Sequence, residues 1–277
     1  MKTWFITGAS RGFGRAVAEE AIRRGDKVAA TARSVEALQD LVALSPEGVA
    51  AIQLDVTNPE EIKHSVAAAQ ARFGHIDVLF NNAGIGYFAA VEESQKAEIR
   101  RMMEINVFGL VNVTNAFLPA MRARRSGTII NVSSVGGIRA FPAVGWYCAS
   151  KFAVEAISES LSQELQPLGI DIVLIEPGPF ATDWAGNSAH EVPPDGEIAD
   201  YGNTAGGQRA SFRQNVGNEP GDPAKAAVAI VNVAHDEDKP LRLPLGNISY
   251  DGILDKLEQV RQEIAKREAV SRAADRD

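Results

Sequence analysis

Short, nearly all-apolar runs separated by amphipathic segments are what most limit the folds open to this chain. "TWFIT", "KVAATA", "VAAIQLDV", "IDVLFNNA", "GTIINVSS", "GIDIVLIEP" and "PLRLPLG" read as strands. Helices are predicted between them at "RAVAEEAIRRG", with Gly25 as its stop, at "SVEALQDLVAL", at "TNPEEIKHSVAAAQARFG", and over 99–121, 147–165 and 223–235. The third opens with Thr57 and Glu60 spaced as a capping box and Pro59 in the first turn. A strand that is apolar on both faces must be covered on both, and helical crossovers supply that cover. The pattern therefore predicts an α/β fold, a doubly wound parallel sheet in a single domain spanning 1–277. Ligands of such sheets bind beyond the carboxyl ends of the strands. Thr7, Arg33, Asp55, Asn82, Ser134 and Pro177 each follow the end of an apolar run.

Two stretches depart from the alternation. Residues 183–222 are rich in Gly, Asn and Pro and too long for a plain connection, which predicts a lid. Residues 254–277 read as a charged helical tail. A balance of 28 basic to 36 acidic residues, with no basic block, argues against nucleic acid or an anionic membrane as partner. The most apolar stretch, "VFGLVNVTNAFLPAM", is broken by Asn112, Thr114 and Asn115 and is too short to span a bilayer. Cys148 is the single cysteine, and His64, His75, His190 and His235 show no ligand spacing. No metal site and no disulfide are expected, and the histidines are assigned to solvent or loops. "MKTWFITGAS" leaves no room for a signal peptide before the first strand, so a cytoplasmic location is expected.

"TGASRGFG", residues 7–14, places three glycines between the first strand and the first helix. The order G-x-x-x-G-x-G differs from the G-x-G-x-x-G fingerprint, but the physics is shared: backbone N–H groups and the positive end of the helix can hold a pyrophosphate. A plain tight turn is the alternative. The residue near the end of the second strand sorts the nicotinamide dinucleotides, an acid binding the ribose 2′-hydroxyl and an arginine the 2′-phosphate. Ala32 followed by Arg33, with Arg11 inside the glycine turn, favours NADP(H) over NAD, unless both arginines are simply solvated.

"WYCASKFAVEAISESL" carries Tyr147 and Lys151 four residues apart, on one face of a helix. An ammonium near a phenol favours the phenolate and makes the tyrosine a usable acid or base. Ser134, at the end of "IINVSS", could hydrogen-bond a carbonyl oxygen. Taken together, "TGASRGFG", "LDVT", "NNAG", "INVFG", "VSSVGG", "YCASK" and "PGPFAT" resemble the single-domain branch of the short-chain dehydrogenase/reductase family, from Thr7 to Thr182.

The resemblance implies a Rossmann-type oxidoreductase. Tyr147 would donate the proton, Ser134 polarise the substrate oxygen, Lys151 hold the nicotinamide ribose and lower the tyrosine pKa, and Asn106 anchor a relaying water. The glycine turn would supply Gly8, Ser10, Arg11, Gly12, Phe13 and Gly14 to the cofactor. Asp55 and Val56 would meet the adenine, Asn82, Ala83 and Gly84 its ribose side, and Pro177, Gly178, Phe180 and Thr182 the nicotinamide end. The alternative readings are a helix-interior hydrogen bond for Asn106 and a helix cap for Asp55. Phe88, Val144 and Trp184, with Phe141, Trp146, Tyr201 and Phe212 as further candidates, suggest an apolar pocket for a lipophilic ketone or alcohol of the hydroxysteroid or retinol type. The same aromatics could equally pack the lid onto the domain. A homodimer or homotetramer is implied through the helices over 99–121 and 147–165. A non-catalytic dinucleotide-binding redox sensor and an epimerase of the same family are the alternatives; the first typically lacks the tyrosine or lysine, and the second has a differently spaced glycine turn.

Overall fold

The computed structural model describes residues 1–182, Trp184, Gly186 and 189–276. All seven predicted runs form strands. The first half of the chain reads β1 (Thr3–Ile6), α1 (Gly12–Arg23), β2 (Lys27–Ala32), α2 (Gln39–Leu44), β3 (Val49–Gln53), α3 (Pro59–Phe73), β4 (Val78–Asn81), β5 (Gly86–Phe88), α4 (Lys96–Met103) and α5 (Leu110–Arg124). The second half adds β6 (Gly127–Val132), α6 (Gly145–Leu165), β7 (Ile170–Pro177), β8 (Ala189–Glu191), α7 (Gly207–Gln214), α8 (Pro223–His235), β9 (Arg242–Leu245), α9 (Asn247–Ala265) and α10 (Glu268–Arg272).

Seven strands pair in parallel in the order β3-β2-β1-β4-β6-β7-β9. The order reverses between β1 and β4, so their carboxyl ends open a crevice at the switch point. Alternate residues of each strand feed opposite cores. Trp4, Ile6, Val28, Ala30 and Phe80 pack with α1, α2 and α8 on one face. Phe5, Ala29, Leu79, Ile129 and Ile172 pack with α3, α5 and α6 on the other. This two-sided burial is why the strands lack a polar face.

Tertiary contacts change several local expectations. The cap of α3 is Asn58, whose side chain accepts from the Glu60 and Glu61 amides at 3.1 and 3.3 Å. Thr57 is unavailable because its amide and hydroxyl both donate to Asp55 Oδ1, at 2.9 and 2.7 Å. The reciprocal acid is accordingly Glu61, which accepts from the Asn58 side chain and from the Asp55 amide. The helix predicted over 99–121 begins earlier as α4, passes through one π-type turn at Glu104–Gly109 and continues as α5. His235 is not a solvent residue: its Nε2 lies 2.7 Å from Asp26 Oδ2, which also accepts from the Trp4 indole at 2.9 Å. This clasp ties the end of α8 to the start of β1.

The expected lid 183–222 includes Asp183, Ala185, Asn187 and Ser188, and the tail includes Asp277; these lie outside the described residues. The rest of the lid carries β8, which pairs in parallel with β5 from Gly86↔Ala189 to Phe88↔Glu191, and α7. It is stapled down by charge. Arg209 of α7 is buried and pairs with Glu197 at 2.7 Å and Glu93 at 3.5 Å. Burial pushes Glu93 up, yet the Ile198 and Ala90 amides and the Arg209 guanidinium together hold it below the usual carboxylate range. Breaking a buried pair costs about 3–5 kcal/mol because a charge is left uncompensated. Arg209→Met should therefore speed hydrogen exchange across 189–214 by more than about ten-fold while leaving the parallel sheet protected. Unchanged exchange would show that the ion cluster does not hold the segment.

Candidate active site

The glycine turn is shaped by contacts on three sides. Gly8 and Gly12 have φ of +67° and +56°, the left-handed region where a side chain is strained. At Gly14 a Cβ would stand 2.3 Å from the Gly8 carbonyl oxygen and 2.5 Å from Asn82 Nδ2, so only glycine lets α1 approach β1 this closely. The turn is braced by the neighbouring loop. Thr7 Oγ1 accepts from the Asn82 and Ala83 amides at 2.9 and 3.0 Å, and Asn82 Nδ2 donates to the Thr7 and Gly8 carbonyls at 2.9 and 3.1 Å. Thr7 was expected only to mark the strand end; its hydroxyl is the junction of β1 and β4.

A cleft of about 750 Å³ runs from this turn across the carboxyl ends of the sheet. Gly8, Ser10, Arg11, Gly12 and Phe13 line one end with Arg33, Asp55 and Val56. Asn82, Ala83 and Gly84 line its middle. Pro177, Gly178, Phe180 and Thr182 line the far side, and the Phe180 ring meets Phe13 edge-on at 5.1 Å. Gly14 is buried and supports the turn without facing the cleft. Arg11 and Arg33 are exposed at the cleft edge, and neither side chain has a hydrogen bond or ion pair among the described residues.

Ser134, Tyr147 and Lys151 meet on one wall. Ser134 follows β6 and accepts from the Gly136 amide at 3.0 Å, which fixes its oxygen at the head of a tight turn. Because α6 begins at Gly145, Tyr147 lies in its first turn and Lys151 one turn later on the same face. Both are buried. Lys151 Nζ donates to the Val132 carbonyl at 2.7 Å and stands 5.8 Å from the Tyr147 ring centroid. Desolvation lowers Lys151 to about 8, against the pull of Glu155. The expected lowering of Tyr147 is not what this geometry produces. Burial raises the phenol well above its ordinary value and a side-chain hydrogen bond with Ser134 only partly opposes that, while the Lys151 ammonium is engaged with the Val132 carbonyl.

Asn106 sits in the π-type turn, buried, and does not line the cleft. Its Nδ2 donates to the Ile85 carbonyl at 2.9 Å and Ser150 Oγ at 3.2 Å, and its Oδ1 accepts from the Ile85 amide at 2.9 Å. It reaches the cleft through Ile85, which lines it.

On the substrate side Val144, Phe141, Trp184 and Phe212 form an apolar wall, with the Trp184 ring 4.8 Å from that of Tyr147. Phe88, expected in the pocket, is instead fully buried behind this wall, meeting Trp184 edge-on at 5.4 Å and stacking on Phe212 at 5.1 Å, since its strand pairs with β8. Trp146 and Tyr201 also stay outside this cleft. Residues that sequence reasoning passed over include Ile85, Ile105 and Arg101, and Gln208 and Ser211 of α7. Nothing in their local pattern marks them; folding of the lid segment brings α7 to the cleft.

A family model for short chain dehydrogenases matches residues 2–193. The chain belongs to the short-chain dehydrogenase family. It is 42% identical over 246 residues to Oxidoreductase BOA17 of Botryotinia fuckeliana, covering 88% of this chain and 89% of that one. A solved short-chain dehydrogenase from Streptomyces avermitilis is 44% identical with a TM-score of 0.92, covering 99% of this chain and all of the other. Solved family members hold either form of the cofactor. An alcohol dehydrogenase from Thermococcus sibiricus, 28% identical with a TM-score of 0.71 over 88% of this chain and 96% of its own, is complexed with 5-hydroxy-NADP. A family member from Burkholderia phymatum, 26% identical with a TM-score of 0.80 over 96% of this chain and 95% of its own, is in complex with NAD. The protein is thus a member of an oxidoreductase family whose solved members bind nicotinamide dinucleotides. Among the described residues no helix is long and apolar enough to cross a membrane, and no group of three or more His, Cys, Asp or Glu could hold a metal.

Proposed function

We propose that the protein is an NADPH-dependent carbonyl reductase, acting in reverse as a secondary-alcohol dehydrogenase, on a lipophilic ketone or alcohol. The observation that carries this reading is a single cleft with Ser134, Tyr147 and Lys151 on one wall and two exposed guanidinium groups, Arg11 and Arg33, at its other end. The residues fit a dinucleotide phosphate. The glycines of the turn leave backbone open at the start of α1, and two exposed arginines at the cleft edge suit a 2′-phosphate.

The bound cofactor would supply the hydride, and the protein the rest. Tyr147, kept protonated by burial, is ready to give its phenolic proton to the oxygen of a carbonyl as that oxygen gains charge. Ser134 accepts from the Gly136 amide, and its hydroxyl hydrogen, directed at the Tyr147 phenol, would turn to the same substrate oxygen once a carbonyl is bound. Lys151 holds its ammonium beside the Tyr147 ring and would hold the ribose of the nicotinamide end. Phe141, Val144, Trp184 and Phe212 exclude water and offer little to a sugar or a carboxylate.

Turnover of NADPH against a panel of lipophilic ketones, sugars and keto acids tests the reading. Oxidation of NADPH by the lipophilic members is expected. Preference for sugars or keto acids would overturn the substrate class, and no turnover with any carbonyl would favour a sensor. The proposed oligomer is at least a dimer, supported by Phe108 of the π-type turn and Phe152 of α6, exposed at 53% and 44%. Light scattering at one chain mass of 29.6 kDa would refute it.

A further inference from the structure

Behind the cleft lies a buried acidic pair that the chemistry above leaves unused. Glu176 is fully buried near the end of β7, and Glu155, nearly so, stands on α6 one turn beyond Lys151. Among the described residues none of their four carboxyl oxygens has a hydrogen-bond donor, and Ser133 Oγ beside them has no partner either. The nearest cation is shared. Arg242 of β9 brings its Nε to 3.3 Å from Glu155 Oε2 and 3.4 Å from Glu176 Oε1, ion-pair distances without hydrogen-bond alignment, while its Nη2 is engaged with Glu159 at 2.6 Å.

Two buried carboxylates with half a cation each cannot both stay ionised at ordinary cost. A single proton resolves the arrangement, because a carboxylic acid becomes the missing donor to its neighbour. The position of the pair gives that proton a consequence. Ser133 precedes Ser134, Glu176 precedes Pro177 at the cleft, and Glu155 is the charged side chain one turn from Lys151.

We propose that Glu155 and Glu176 are positioning residues that share one proton at neutral pH and so set the charge on Lys151 from behind the active site. The inference rests on the oxidoreductase reading only for its effect on turnover. Burial, reinforced by the charge of Glu155, pushes Glu176 up to about 8, and burial raises Glu155 as well. The pair therefore carries one negative charge near neutrality and gains a second as the solution turns alkaline. The groups facing it are Arg242 from β9, Lys151 and Glu159 from α6 and the hydroxyl of Ser133. On α9, Ser249 bonds the Glu176 carbonyl while Tyr250 and Asp251 are exposed.

Both acids favour the charged form of Lys151 in the alkaline range where the intact pair carries two charges, and a purely structural role would leave the titration of Lys151 in place. Glu155→Gln removes the carboxylate that holds the Lys151 proton from one turn away, so the pH limb of kcat/KM that belongs to Lys151 should move down by about one pH unit. Glu176→Gln leaves Glu155 as the single charge in that range and should move the same limb down by less. An unmoved limb in Glu155→Gln, or a shift in Glu176→Gln that is upward or the larger of the two, overturns the proposal.

Infrared spectroscopy of the wild-type protein gives a reading independent of activity. Solvated carboxyls are ionised at neutral pH, so a carboxylic-acid C=O band there reports a buried acid. The band is expected at neutral pH, lost well above pH 8 and absent in Glu176→Gln. No such band in the wild type, or its persistence in Glu176→Gln, overturns the pair. The band together with no turnover on any carbonyl would instead sink the functional reading and leave the shared proton standing.

Discussion

Tyr147→Phe is expected to leave NADPH affinity nearly unchanged and to lower turnover by about a hundred-fold or more, the usual contribution of general acid catalysis. The substitution is clean. The phenylalanine ring keeps its packing against Trp184 at 4.8 Å and its place over Lys151, so only the O–H is removed. Loss of that group also relieves Ser134 of one partner without disturbing its bond from Gly136. Retention of more than about a tenth of wild-type turnover would exclude Tyr147 as the proton donor. Lys151→Met makes the complementary case. It deletes the bond to the Val132 carbonyl and the proposed ribose contact together, so both turnover and cofactor affinity should fall. Isothermal titration showing normal NADPH affinity in that variant would remove the ribose contact from the scheme.

A comparable effect is expected at the other end of the cleft. Arg33 is exposed and its side chain has no partner among the described residues, so it is available for a phosphate. A hydrogen bond to a charged group contributes about 1.5–3 kcal/mol, so Arg33→Ala should weaken NADPH by about ten- to a hundred-fold and barely affect NADH. Ala32 lines the cleft, and its carbonyl is bonded by the Leu54 amide at 2.9 Å, which fixes the backbone there. An aspartate at this position would accept from ribose hydroxyls and repel a 2′-phosphate. The double change Ala32→Asp with Arg33→Ala should thus invert the ratio of kcat/KM for the two cofactors. Arg11→Ala should weaken NADPH less, because Arg11 is exposed at the N-cap of α1 and offers no side-chain cap bond that its loss would disturb. A wild type that prefers NADH, or a ratio unmoved by the double change, would make both arginines bystanders.

Local pattern was enough for the framework. "KVAATA" is β2 and 223–235 is α8 to the residue, because a both-sides-apolar run and a proline-led amphipathic run are each written in consecutive residues, even though β2 takes its backbone partners from β1 and β3. The glycine turn was legible for the same reason, since positive φ at Gly8 and Gly12 is a property of the chain at those points. Tyr147 and Lys151 were placed on one face by helix geometry alone.

Where two candidates compete for one role, only the folded neighbourhood decides. Thr57 and Asn58 are both good caps, and the outcome turned on Asp55 engaging the threonine first. Phe88 and Trp184 are both large and apolar. The pairing of β5 with β8 sent Phe88 beneath the wall and left Trp184 in it. Asn106 could have faced the cleft, but the π-type turn directs its amide to Ile85 and Ser150, residues far along the chain from it. The Tyr147 phenol and the Glu155–Glu176 pair show the same limit in their electrostatics. Their proton affinities depend on burial and on which distant charge comes within a few ångströms, as Arg242 does for both acids. Periodicity along a strand or helix carries no record of such distances, because they are set by how β6, β7, β9 and α6 pack together in space.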